Sequence, residues 1–188
     1  MLTRSAVLQR LLSLYQSPAY LEIGVSLGEM FLALKPADKV AVDPLFQFMP
    51  KPGPGVEYHQ VPSDAYFAAA PPEQVFDVIY IDGLHTFEQT LRDLLNAVFK
   101  LRDGGVIVID DVRPNAYDSS LPDLAQLFHR REEGAAAPGA TWPMDGSWMG
   151  DVFKVSFFIQ SFMQQFSYAT VTDNHGQTVL WRAVRGAD

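Results

Sequence analysis

The chain is 188 residues long, 48% hydrophobic and 19% charged, with a formal net charge of −8 and no cysteine. Its length suits one domain with a real core, and its composition suits a folded globular chain rather than a disordered one. The acidic balance disfavours nonspecific nucleic-acid binding, no apolar run reaches the ~18–20 residues of a membrane span, and the missing thiols exclude disulfides, thiolate metal sites and cysteine nucleophiles.

The leading segment 3–16 has apolar residues at Leu8, Leu11, Leu12 and Tyr15. That spacing predicts an amphipathic helix, and without a small-residue cleavage site it does not read as a signal peptide. A cytoplasmic protein is the expectation. Residues 19–24 (AYLEIG) read as a strand, followed by a turn and a helix over 27–34. KVAVD over 39–43 is a second buried strand, stopped by Pro44, and KPGPG over 51–55 is a loop. Residues 56–61 read as a third strand, with Ser63-Asp64 placed to cap a short helix ending at Pro71-Pro72.

Val75 to Asp82 (VFDVIYID) is apolar enough for a strand buried on both faces. Phe87, Leu91, Leu94, Leu95, Val98 and Leu101 give helical periodicity over 86–102, with Gly104-Gly105 expected to close the helix. Residues 106–110 form a fifth strand. The alternation then breaks into a variable segment, 113–150, with one helical piece over 122–131. A helix over 151–166, capped by Asp151, precedes strands over 168–173 and 178–184 joined by Asn174-His175-Gly176. Alternating strands and helices with a terminal hairpin predict a single doubly wound, Rossmann-like α/β domain over 1–188. Its sheet is mostly parallel with an antiparallel C-terminal hairpin. The leading helix and the hairpin are candidate dimer surfaces by position.

Four strand ends carry the chemistry. In such a sheet, ligands bind beyond the carboxyl ends of the strands. The first strand ends in Glu22-Ile23-Gly24-Val25-Ser26-Leu27-Gly28, a turn that lets backbone approach a ligand. The second ends in Asp43, an acid able to accept from both hydroxyls of a ribose. Gly24-x-x-x-Gly28 lacks the third glycine of the dinucleotide fingerprint, which disfavours a pyrophosphate site and favours a nucleoside cofactor without one. The fourth ends in Asp82, with His85 three residues on, and the fifth in Asp110 and Asp111. Carboxylates from neighbouring strand ends can hold Mg²⁺, which lowers the pKa of a substrate hydroxyl, and a nearby imidazole can take its proton.

LEIGVSLGEMF, VAVDP and FDVIYIDGLHTFEQTLRDL…LRDGGVIVIDDV resemble the first motif, the ribose-binding strand end and the fourth and fifth strands of class I S-adenosylmethionine-dependent methyltransferases. The likeness spans residues 19–114, with Ser26 where that family usually has a middle glycine. It implies that Gly24 and Gly28 line the methionine and ribose side along with Ser26. It further implies that Asp43 holds the ribose, Glu22 orients the turn, and Ser63 and Asp64 contact adenine. The D-G-x-H…D-D spacing is similar to that of metal-dependent sugar O-methyltransferases of natural-product pathways. That likeness implies Asp82, Asp110 and Asp111 as Mg²⁺ ligands and His85 as the base, with Asp82 beside both cofactor and acceptor. The expected function is methyl transfer to a small-molecule acceptor, at oxygen, with no nucleic-acid or membrane partner.

Plainer roles exist for the same residues. Ser63-Asp64 can be only a helix cap, Asp82 a ligand of loop amides, His85 a first-turn residue and Asp111 an Asx-turn former before Pro114. Two other functions stay open: a module that binds S-adenosylmethionine or S-adenosylhomocysteine without catalysis, and a nicotinamide-dependent oxidoreductase. Tyr117, Trp142 and Trp148 are candidates to face the acceptor, whereas Lys154 reads as solvent-facing.

Overall fold

The computed structural model describes residues 2–135 and 147–186. The described elements run α1 (Arg4–Leu12), β1 (Ala19–Ile23), α2 (Glu29–Ala33), β2 (Asp38–Val42), β3 (Val56–His59), α3 (Ser63–Ala69), β4 (Phe76–Ile81), α4 (Phe87–Lys100) and β5 (Leu101–Ile109). A short 3-10 turn (Asp118–Ser120), α5 (Leu124–Ala135), α6 (Lys154–Phe162), β6 (Phe166–Val171) and β7 (Gln177–Arg182) complete the chain. The strands form one sheet in the order β3-β2-β1-β4-β5-β7-β6. Strands β1 to β5 are parallel, and β7 pairs antiparallel with both β5 and β6. This is the doubly wound, mostly parallel sheet with an antiparallel hairpin that the sequence predicts.

Every residue of β4 is buried, as expected of a central strand covered on both faces, with Asp77 the one charged residue in its apolar run. Ile79 and Ile81 face one core with Leu94 and Ala97 of α4 and Val155 and Ile159 of α6. Val78 and Tyr80 face the other, with Leu8 and Leu12 of α1 and Phe31 of α2. The alternation of side chains along the strand makes these two layers from one run of residues. Among the described residues, no helix is long and apolar enough to cross a membrane.

Three local expectations fail for identifiable reasons. Gly104-Gly105 does not close α4, because Leu101 is already extended and buried in β5. Phe76 pairs with Leu101 and Val78 with Val106, so the glycines lie in a bulge inside β5. Ser63 and Asp64 do not cap α3: Pro62 holds the cap position without a side-chain bond, and both residues turn toward α4 instead. Asp151 does not cap α6. Its carboxylate accepts from the Phe87 backbone N–H at 2.7 Å, so it serves the start of α4, and it pairs with Lys154 Nζ at 2.7 Å.

Strand order reverses between β1 and β4, since β2 and β3 extend to one side and β5 to the other. That switch point opens a crevice at the strands' carboxyl ends. It is where Glu22, Gly24, Asp43 and Asp82 converge.

Candidate active site

A cleft of about 740 Å³ lies over the ends of β1, β2, β4 and β5. Its wall on the β1 side is the turn 24–27, whereas Gly28, expected to line the site, lies against the Phe48 ring instead. Gly24 has φ +83°, and a Cβ there would lie 1.9 Å from the Asp82 carbonyl oxygen, so only glycine lets the turn cross β4 this closely. The Asp43 carboxylate braces the turn. Oδ2 accepts from the backbone N–H groups of Val25 and Ser26, both at 2.8 Å, and Oδ1 from that of Leu45 at 2.7 Å. A carboxylate offers about four lone-pair positions. Asp43 therefore both fixes the turn and retains acceptor capacity toward the cleft it lines. Glu22 forms the floor, buried, with its Oε2 accepting from the Tyr20 hydroxyl at 2.6 Å. Burial pushes its carboxyl up to about 8, with Asp82 adding to the rise and the Tyr20 hydrogen bond opposing it.

The far side of the cleft holds the acid–histidine cluster. His85 Nε2 lies 3.5 Å from Asp82 Oδ1 and 3.3 Å from Asp111 Oδ2. His85 Nδ1 is 2.5 Å from the Trp148 carbonyl oxygen. A carbonyl can only accept, so Nδ1 carries hydrogen and Nε2 is the nitrogen turned toward the two acids. Burial lowers the pKa of this imidazole, but Asp82, Asp111 and the Trp148 carbonyl outweigh it and raise the group to about 9. One donor atom from each of Asp82, His85 and Asp111 lies within 4.8 Å of the others, which suits a shared cation. An imidazole anchored through Nδ1–H to a backbone carbonyl is also how histidines are oriented at metal centres.

Asp110 does not join this group. Adjacent residues at a strand end point to opposite faces, and the Asp110 carboxylate lies buried on the α1 side. There it accepts from the Tyr80 hydroxyl at 2.5 Å and pairs with Arg4 Nε at 2.6 Å. Burial, Asp82 and Asp111 raise its pKa while Arg4 opposes them. Asp111 has φ +59°, which turns its side chain back into the cleft. Its Oδ1 is 3.0 Å from Arg4 Nη2, leaving Oδ2 to His85. Arg4 thus separates two neighbouring acids into a structural one and a cleft-facing one.

Of the other expected residues, Ser63 and Ser26 line the cleft, whereas Asp64 pairs with Arg92 at 3.3 Å outside it. Trp148 lines the cleft with its ring centroid 5.3 Å from that of His85, and its indole N–H donates to the Leu121 carbonyl. Tyr117 is 71% exposed and packs on Arg130, away from the cleft. Trp142 lies outside the described residues. Sequence reasoning missed four contributors: Arg4, His175, Gly150 and Asp93. A Cβ on Gly150 would fall 1.6 Å from the His85 carbonyl oxygen, and only the glycine beside Trp148 hints at this approach. Arg4 and His175 had no local signal, since their partner Asp111 is far along the chain.

Residues 21–112 match the family model described as a methyltransferase domain. No curated protein matches the sequence. Among solved structures, a Staphylococcus aureus protein described as a candidate caffeoyl-CoA O-methyltransferase superposes with TM-score 0.63 at 10% identity, over 97% of this chain and 85% of that one. TomG, an O-methyltransferase of tomaymycin synthesis from Streptomyces achromogenes solved with S-adenosylmethionine, gives 0.56 at 18% identity over 96% and 82%. An rRNA methylase from Streptococcus thermophilus gives 0.58 at 11% identity over 97% and 98%. At these identities the structural likeness carries the fold alone, and neighbours with such different acceptors leave the acceptor open. The family match over residues 21–112, from β1 to just past β5, marks that stretch as a methyltransferase domain, and the glycine turn lies within it.

Proposed function

We propose that this protein transfers a methyl group from S-adenosylmethionine to a hydroxyl oxygen of a small molecule, with His85 as general base. The observation that carries the reading is the convergence of Asp82, His85 and Asp111 in one cleft with the glycine turn and Asp43. The cofactor supplies an electrophilic methyl on its sulfonium, and a divalent cation such as Mg²⁺ at Asp82 and Asp111 would lower the pKa of the acceptor hydroxyl. The donor set fits such an ion, because two carboxylates face one another across an anchored imidazole.

Asp82 places a carboxylate beside the part of the cleft that takes the sulfonium, above the Glu22 floor. Asp43 and the turn hold the ribose. His85 Nε2, fixed by the Nδ1–H bond to Trp148, accepts the acceptor's proton. Without a cation the two facing acids keep His85 protonated at neutral pH, so occupancy of the acid pair and basicity of Nε2 are linked. The net charge of −8 favours a small acceptor over a nucleic acid.

The test is transfer of a labelled methyl from S-adenosylmethionine to a panel of small hydroxylated acceptors with Mg²⁺ present. Wild type should label at least one, and His85→Ala should lose about 10²-fold or more. Label appearing only on nitrogen acceptors, or undiminished transfer by His85→Ala, would overturn the oxygen-directed, His85-based reading.

A further inference from the structure

Behind the acid–histidine cluster lies a buried polar layer centred on Tyr80, near the end of β4. Tyr80 and Asp82 are two residues apart on one chain run, so their side chains leave the same face. Val108 of β5 pairs with Tyr80, and Asp110, two residues beyond Val108, shares that face as well. The register therefore brings one phenol hydroxyl to two carboxylates. It lies 2.5 Å from Asp110 Oδ2 and 3.3 Å from Asp82 Oδ2. Tyr80 does not line the cleft, so the hydroxyl serves the acids from behind.

Each cleft-facing acid thus has a front and a back oxygen. Asp82 turns Oδ1 to His85 Nε2 and leaves Oδ2 to Tyr80. Asp111 turns Oδ2 to His85 Nε2 and leaves Oδ1 to Arg4 Nη2. Arg4 Nε is 2.6 Å from the Asp110 oxygen that faces Tyr80. The contacts close into a ring that runs from Arg4 through Asp110, Tyr80, Asp82, His85 and Asp111 back to Arg4. A carboxylate that binds an ion is set in place by the partner on its other oxygen, and that partner controls affinity without touching the ion.

We propose that Tyr80 is a positioning residue of the acid–histidine cluster: with Arg4 it holds the back oxygens of Asp82 and Asp111, and so sets the spacing at which the front oxygens meet a divalent cation. The proposal rests on the reading that these two acids take such an ion. Arg4 belongs to the first turn of α1, and the Leu2 backbone N–H just before it donates to Asp173 Oδ2 at 2.7 Å. The ring therefore makes the spacing depend on the docking of the leading helix.

The experiment is titration with Mn²⁺, followed by the electron paramagnetic resonance signal of the free ion, of wild type, Tyr80→Phe, Arg4→Lys and the double variant. Both substitutions keep the formal charge, so a change in affinity reports geometry. Wild type should bind Mn²⁺, and each single variant should bind it about 10- to 100-fold more weakly. The double variant should lose little more than the weaker single one, because a ring is opened only once. Unchanged affinity in Tyr80→Phe overturns the proposal and leaves the cation reading intact. Losses that add in the double variant also overturn it, since they mark two separate packing contacts. Failure of folded wild type to bind Mn²⁺ overturns the cation reading, and the proposal with it. Should Tyr80→Phe not fold, Arg4→Lys decides alone: a loss of about tenfold or more supports the ring, and unchanged affinity overturns it.

Discussion

Single residues divide the labour at the strand ends by burial and by partner. Asp43, Asp82, Asp110, Asp111 and Glu22 are all acids at carboxyl ends of parallel strands, yet they occupy different environments. Asp43 accepts from three backbone N–H groups, Asp110 is tied to Arg4 and Tyr80, and Asp82 and Asp111 face His85. Glu22 is buried beside the Tyr20 hydroxyl, and its pKa of about 8 against an ordinary 4.5 has a consequence for stability. The unfolded chain releases this proton near pH 4.5 while the folded one keeps it to about pH 8. Between those values the folded state binds more protons, so stability falls as pH rises through the window. Glu22→Gln keeps the acceptor for Tyr20 and removes the titration. The variant should match wild type at pH 5 and exceed it at pH 8 by on the order of a few kcal/mol, measured by urea unfolding at the two values. A stability difference independent of pH would show that Glu22 is ionised in the folded protein.

At the scale of elements, the stretch 147–151 acts as a strap across the start of α4. Trp148 accepts the His85 Nδ1–H, Gly150 crosses the His85 carbonyl, and Asp151 accepts from the Phe87 backbone N–H. Three contacts from five residues thus fix one imbeddable side chain, His85, in one tautomer. Gly150→Ala must displace the strap, because φ is +56° and the new Cβ would overlap the His85 carbonyl. The expected result is loss of the slowly exchanging downfield Nδ1–H proton resonance of His85. Affinity for S-adenosylhomocysteine should stay within about threefold, since the turn and Asp43 are untouched. A resonance unchanged in Gly150→Ala would mean that the strap does not orient the ring.

The same scale explains what could be read from the sequence. Strands and the long helix were legible because each is written in a short period: FDVIYI as an apolar run broken only by Asp77, and α4 through Phe87, Leu91, Leu94 and Val98. Asp82 and His85 were legible because β4 delivers its carboxyl end to the crevice, whereas which of Asp110 and Asp111 faces it depends on Arg4 and on the left-handed backbone at Asp111. The failures share one cause, that the deciding partner is remote. Gly104-Gly105 looks like a helix stop until Phe76 claims Leu101 for β5, and Ser63-Asp64 looks like a cap until Gln89 and Arg92 turn both side chains aside. Arg4 sits 107 residues from Asp111, and no local pattern marks that pairing.

For the whole molecule, the sheet order puts the residues proposed for the cofactor and those proposed for the acceptor on opposite sides of one switch point. β1 and β2 supply Glu22, the turn and Asp43, and β4 and β5 supply Asp82, His85 and Asp111. α1 reaches over the second group through Arg4, and the β6–β7 turn adds His175, so the acceptor side is assembled from both ends of the described chain. The cofactor half is the premise for everything else, and it is tested most directly by calorimetric titration of S-adenosylhomocysteine. Wild type should bind one equivalent, and Asp43→Ala should bind at least ~10-fold more weakly, a loss of about 1.4 kcal/mol or more. A flat titration with folded wild-type protein, or unchanged affinity in Asp43→Ala, would contradict the account.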